Sequence, residues 1–223
     1  MGEPTIYKPS IYNGNGIYKN GASGGGGIAI PGNIKLYSAL VRVSTSPYDG
    51  FEVNKTIKGD DRIDIIVFPC YGLSLQYSNE VSFEFQNDKR VLGINTQGSY
   101  GNGTIQITYY NSGLYGSASF SNNSNGFLIS LRKDYAKINN TNMIISGSYT
   151  DYTTTLKKIW ARTGYGVSPI PFVRCTIFDK DNKKKFDFVP AKNTDDNKVG
   201  IFELINGEFF PSTNFNVIGE PIN

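Results

Sequence analysis

The strongest constraint on this chain is its hydrophobic period. "EVSFEFQ" sets Val81, Phe83 and Phe85 on one face and Ser82, Glu84 and Gln86 on the other. "TIQITYY" does the same with Ile105, Ile107 and Tyr109, "GFLISLR" with Phe127, Ile129 and Leu131, and "IDIIVF" with Ile63, Ile65 and Val67. A two-residue period places alternate side chains on opposite faces of an extended strand. No window carries the three-and-four spacing of an amphipathic helix; "RKDYAKIN" has room for one helical turn at most. Many short strands separated by turn residues, about ten residues apart, predict an all-β sandwich, and a jelly roll in particular. "FELINGEFF" predicts a hairpin turning at Asn206-Gly207, because that dipeptide tolerates positive φ. Asn102-Gly103 and Asn125-Gly126 are further turn candidates.

The first 27 residues have a different texture. Three Ile-Tyr pairs (Ile6-Tyr7, Ile11-Tyr12 and Ile17-Tyr18) stand among Pro, Asn and Gly, and the stretch ends in the glycine run Gly24 to Gly27. Such a run behaves as flexible coil. The division is therefore an extended arm and linker over 1–27 and a β-sandwich domain over 28–223. Burying three tyrosine rings gives back less than the backbone entropy of fixing some twenty residues, so the arm cannot order itself alone. It needs a partner with grooves for the Ile-Tyr pairs and a strand edge for its backbone. Ile6, Tyr7, Ile11, Tyr12, Ile17 and Tyr18 are the candidate docking residues, and the competing reading is an idle terminus.

Composition narrows the chemistry. The 223 residues include 22 basic and 19 acidic side chains, a net charge of +3, too mild and too scattered for a nucleic-acid footprint. There is no histidine, which removes His-dependent triads, His general bases and His metal sites. Paired carboxylates of the glycosidase kind remain open on composition alone. Cys70 and Cys175 lie in apolar runs and are expected as buried thiols of a chain folded in a reducing cytosol. No signal peptide and no membrane insertion are expected, and "MGEPTI" has Ile6 where a myristoylation site needs Ser or Thr.

Several constellations resolve to ordinary structure. "DKDNKK" opens like a calcium loop, but Lys183, Lys184 and Pro190 occupy the positions that need an oxygen ligand, Gly and Glu. Asp181-Asn182 is expected as a hairpin turn instead. Asp60, Asp61 and Asp64 are expected to solvate a turn, and "NKKKFDF" to be a solvated strand end. "GNGIYKNG" lacks the strand before and helix after that a dinucleotide fingerprint requires. Glu84 is a weak candidate for a catalytic acid. Trp160 is expected in the core. Tyr110 is a candidate ligand-facing aromatic, with core packing as its alternative. No metal or cofactor is expected.

The C-terminal third carries an ordered series: "IWARTGYG" (159–166), "FVRCTIFDKDNKKKFDFVPAKN" (172–193), "DDNKVGIFELINGEFF" (195–210) and "NFNVIGEP". It resembles the end of the concanavalin-like (laminin-G-like) jelly rolls of fibre and appendage structural proteins of tailed bacteriophages, notably crAss-like phages of gut Bacteroides-type hosts. Val189-Pro190-Ala191 matches that pattern's Pro segment, and Asp196, Gly200, Asn206-Gly207 and Phe209 match its closing hairpin. Phe202-Glu203 stands where Tyr-Asp is usual, Trp160 where Phe is usual, and "NFN" where the pattern has a glycine-rich close. About 60 residues carry the likeness, and they are framework. The resemblance implies a non-enzymatic virion protein, a head- or tail-fibre component assembled in the host cytoplasm. Its partners would be other virion proteins, through residues 1–27. A dimeric or trimeric homo-oligomer is implied, and a host surface glycan is the alternative ligand.

Overall fold

The computed structural model describes residues 28–42, 50–67, 79–85, 89–99, 102–109, 114–121, 127–132, 134–139, 141–146, 153–162, 171–218 and 220–222. Among them every regular element is a strand. The first nine are β1 (Ile34–Leu36), β2 (Ala39–Arg42), β3 (Phe51–Lys58), β4 (Arg62–Val67), β5 (Asn79–Phe85), β6 (Lys89–Ser99), β7 (Asn102–Tyr109), β8 (Leu114–Ser121) and β9 (Phe127–Arg132). Then follow β10 (Tyr135–Ile138), β11 (Thr141–Asn142), β12 (Ile144–Ser146), β13 (Thr153–Arg162) and β14 (Phe172–Phe178). The C-terminal strands are β15 (Lys184–Asn193), β16 (Val199–Glu203), β17 (Glu208–Pro211) and β18 (Phe215–Ile218). The four alternating stretches of the sequence fall in β5, β7, β9 and β4, and Ile63, Ile65, Phe83, Ile129 and Leu131 are buried as their parity requires.

Two antiparallel sheets form. The first runs β11-β10-β9-β4-β14-β15-β16-β17, with β1 beside β15 and β2 between β14 and β18; the second runs β12-β8-β7-β6-β5-β13-β3. One core joins them: Phe51, Ile57, Phe83, Leu156 and Trp160 from the second sheet meet Ile65, Leu131, Cys175, Phe188 and Ile201 from the first. The arrangement is a sandwich, as the strand pattern predicts. At one side the sheets are tied by Lys55 of β3, whose ammonium is 2.7 Å from Glu208 on β17 and faces the rings of Phe186 and Phe210. At the other side the chain itself crosses through Met143, whose N–H donates to the Ala136 carbonyl.

Irregularities have identifiable causes. Between the pairs Leu156–Lys55 and Lys158–Glu52, two residues of β3 stand against one of β13, and Asn54 takes φ 48°. Asn accepts this left-handed backbone more readily than most side chains. A second bulge sets Ile159 and Trp160 against Phe83, with Trp160 at φ 57°. Strict alternation would turn one of these neighbours outward; the bulge lets Ile159, Trp160 and Ala161 all be buried. Trp160 meets Phe172 edge-on at 5.3 Å, so the core placement holds. Gly50 sits against this bulge, where a Cβ would come within 2.9 Å of the Ala161 Cα.

The turn expectations divide. Asn206-Gly207 makes the β16–β17 hairpin with Gly207 at φ 74°, and Asp181-Asn182 turns β14 into β15 with Asn182 at φ 61°. Asp179 organises that turn by accepting the Asp181 and Lys183 N–H groups at 2.9 Å. Asn102-Gly103 is no turn: Ser99 pairs with Asn102 and Gly98 with Gly103, so both residues are already strand residues of β7. Asn125-Gly126 lies outside the described residues. "RKDYAKIN" contributes no helical turn, because Tyr135–Ile138 is a strand paired with β9.

Candidate functional site

The six arm residues Ile6, Tyr7, Ile11, Tyr12, Ile17 and Tyr18 lie outside the described residues, as do Tyr110 and Cys70. What is described is the segment from Ile28 that follows the first 27 residues. The Ile28 side chain lies over the β16–β17 turn, where a Cβ on Gly207 would be 3.4 Å from two of its methyl groups. Ile30 then packs with Leu204 and Phe209 against Ile34, Leu36, Val189, Ala191 and Phe202. Leu36 pairs with Ala191 and Ile34 with Asn193, which makes β1 a member of the first sheet. The Asn33 amide donates to Asp195 at 2.7 Å, and its carbonyl accepts the Thr194 N–H at 2.8 Å.

Pro190 explains how β1 is admitted. The edge of β15 is held by β14 over its first half and by β1 over its second. Proline has no N–H to give, and it stands where these partners change. Its carbonyl accepts the Tyr37 N–H at 3.0 Å.

The turn beneath Ile28 is itself locked. Glu203 is fully buried, and its carboxylate accepts the N–H groups of Asp187 (2.9 Å), Ile205 (3.0 Å) and Asn206 (2.7 Å), plus the Asn206 side-chain amide (2.7 Å). A buried carboxylate is tolerated only with this degree of satisfaction. Gly200 keeps β16 and β17 close, since a Cβ there would meet the Phe210 carbonyl oxygen at 2.3 Å.

The other half of the first sheet's outer face is mostly polar, with half-buried Ile66 and Leu128 on the rung of Arg174. Thr176 pairs with Asp64 and with Asp187, Asp64 with Ser130, and Ser130 with Lys137, so these side chains share one rung across five strands. Asp187 is its anchor. Arg174 grips it at 2.8 and 2.6 Å, Thr176 donates at 3.0 Å and Lys184 stands at 2.9 Å. Burial pushes the Asp187 carboxyl upward, but the hydrogen bonds and charges of Arg174 and Lys184 outweigh it and hold the group below the usual carboxylate range.

A second rung carries rings and guanidinium groups. Phe178 pairs with Arg62, and Arg132 with Tyr135; because Ile63 pairs with Leu131, Arg62 and Arg132 are themselves neighbours. The Arg62 guanidinium lies 4.1 Å from the Phe178 ring centre and reaches Asp64 at 3.2 Å. Arg132 and Lys137 flank the Tyr135 ring at 5.1 and 4.8 Å, and Asp134 holds Arg132 by two bonds of 2.7 Å. Apart from Asp64, expected to solvate a turn but placed within β4, none of these residues stood out in the sequence. The signal was the alternation Arg132, Tyr135, Lys137 across a tight turn.

The remaining candidates take structural roles. Asp61 accepts the Lys58 N–H at 2.9 Å and pairs with Lys185 at 2.8 Å, while Lys183 and Lys184 are exposed at the strand end. Glu84 is buried, and its register neighbours are Lys158 and Arg90. Cys175 is a buried thiol, raised well above its ordinary pKa by burial and by the charges of Asp187 and Asp64, which makes it unreactive. Among the described residues no three His, Cys, Asp or Glu side chains are grouped to hold a metal ion, and no helix is long and apolar enough to cross a membrane. No family model matches the sequence, and neither a curated protein nor a solved structure matches it.

Proposed function

We propose that this chain is a structural virion protein of a tailed bacteriophage, a head- or tail-fibre component. In this reading residues 1–27 attach it to another virion protein, and the domain over 28–223 is a concanavalin-like jelly roll displayed outward, in a dimer or trimer. The protein works by geometry and turns nothing over. It resides in the virion, after assembly in the host cytoplasm.

The observation that carries the reading is the seat of the arm. Attachment through an arm serves only if a pull on it reaches the folded body. Ile28 and Ile30 lie against the β16–β17 hairpin, Asn33 clasps the turn after β15, and β1 is paired into the sheet. The domain end of the arm is therefore held by side-chain packing and backbone hydrogen bonds together. Three aromatic pegs per chain, repeated across an oligomer, would multiply attachment through effective concentration.

Replacing Tyr7, Tyr12 and Tyr18 together by Ala should abolish incorporation into particles while leaving the thermal unfolding of the domain unchanged. Normal incorporation of the triple variant would refute the arm's role. A second reading, a carbohydrate-binding module contacting a host-surface glycan, is favoured by the two polar rungs on the first sheet.

A further inference from the structure

We infer that Lys55 guards the one long open edge among the described strands and keeps copies of this chain from joining sheet to sheet. Edge strands invite pairing, because half of their N–H and C=O groups face away from the sheet. Among the described residues β11 and β12 end their sheets with two and three residues, and β1, β17 and β18 border theirs with three, four and four. Pro211, which has no N–H, closes β17. β3 differs: it has eight residues, ends the second sheet and pairs only with β13. A second copy of this chain would find its longest template there.

Three features spoil that template. Phe51, Val53 and Ile57 of β3 are buried in the core, and Lys55, opposite the buried Leu156, takes a place on the same inward face. Its ammonium reaches across the open side to Glu208 of β17 and faces Phe186 and Phe210, with the side chain only 14% exposed. A strand added to β3 would extend the second sheet over β17 and close this ion pair off from water. Glu208, whose side chain is 46% exposed, would lose its solvent. Taking an ion pair out of water costs more than it returns unless further hydrogen bonds satisfy both groups. The second feature is the bulge at Asn54, which bends the strand between residues 51–53 and 55–58, so a straight neighbour matches only one half. The third is Asp61, whose carboxylate takes the Lys58 N–H at 2.9 Å and leaves it for no other strand. An inward charge and a bulge are among the means by which sheet edges avoid one another. Copies in the dimer or trimer proposed above would therefore meet elsewhere than at β3.

The test follows amide hydrogen exchange along β3 in the full chain at rising concentration, beside sedimentation velocity. In the wild type the β3 amides that do not bond to β13 should exchange as fast at high concentration as at low. Lys55→Met keeps the length of the side chain and drops its charge. It should tighten self-association about tenfold or more and protect those amides as it does so. Glu208→Gln breaks the ion pair but keeps the Lys55 charge, and should leave association at the wild-type level. Protection of those amides in the wild type at high concentration would overturn the inference, and that result needs no variant. A folded Lys55→Met chain that associates no more than the wild type would overturn it too. So would equal association of both variants, which would trace the effect to a loosened tie between the sheets.

Discussion

One sheet presents two different halves on a single face. Toward β15, β16 and β1 the outward side chains are Val189, Ala191, Phe202 and Leu36, all buried. Toward β14, β4, β9 and β10 they are mostly polar, Arg174, Thr176, Asp64, Ser130, Arg62 and Lys137, with half-buried Ile66 and Leu128 on the rung of Arg174. The contrast shows what the N-terminal segment is for. An antiparallel sheet with one face on the core normally leaves the other to water, with polar side chains. The apolar half breaks that rule and needs a cover. Ile30, ahead of β1, packs against it together with Leu204 and Phe209, so the residues just before β1 are a component of the fold. The polar half needs none.

Phe202→Ala breaks the apolar half and should have the largest effect. The ring is 1% exposed and packs against Leu36, Val189 and Ala191. A loss of about 3–5 kcal/mol is expected for a buried Phe, read from denaturant unfolding. The loss should include earlier opening of β1, because the ring is part of what holds that strand. A loss under about 1 kcal/mol would mean that the segment does not cover this face.

Asp187→Asn tests the polar half. Removing the charge leaves Arg174 and Lys184 without their shared carboxylate, and a cost of about 2–4 kcal/mol at neutral pH follows for a pair this buried. The pH dependence sharpens the point. The folded pKa of Asp187 lies below its unfolded value of about 3.9. The stability it contributes is therefore complete above that value and is lost as pH falls through the folded pKa. Wild type and variant should converge in stability as acid is added. A constant difference from pH 7 to pH 2 would show that the carboxylate's charge is not what matters.

The fold was legible where side chains alternate. The runs at 63–67, 81–85, 105–109 and 127–131 all name strands, because period two has one regular solution. Asn206-Gly207 and Asp181-Asn182 were legible as turns because they pair short range with a backbone that needs positive φ. Asn102-Gly103 misled for an instructive reason. The same dipeptide chemistry appears in a paired strand, Asn102 opposite Ser99 and Gly103 opposite Gly98, and pairing register is a property of two strands together. The polar face was hidden for a similar cause. Phe178, Arg62, Arg132 and Tyr135 come from four separate stretches of sequence, and only the registers of β14, β4, β9 and β10 align them. Nor does the sequence announce that Trp160 and Ile159 can both be buried, since that depends on a bulge opposite Phe83.

The central claim is that residues 28–36, from which the proposed arm would extend, are built into the sheet. Amide hydrogen exchange on the full chain tests it at three donors: Ile34 to Pro31, Tyr37 to Pro190 and Thr194 to Asn33. Protection of these amides to the level of the β14–β15 ladder would show that the base opens only with the domain. Exchange at the rate of an open peptide would contradict the account, because an arm hung from a loose segment could not transmit attachment to the body.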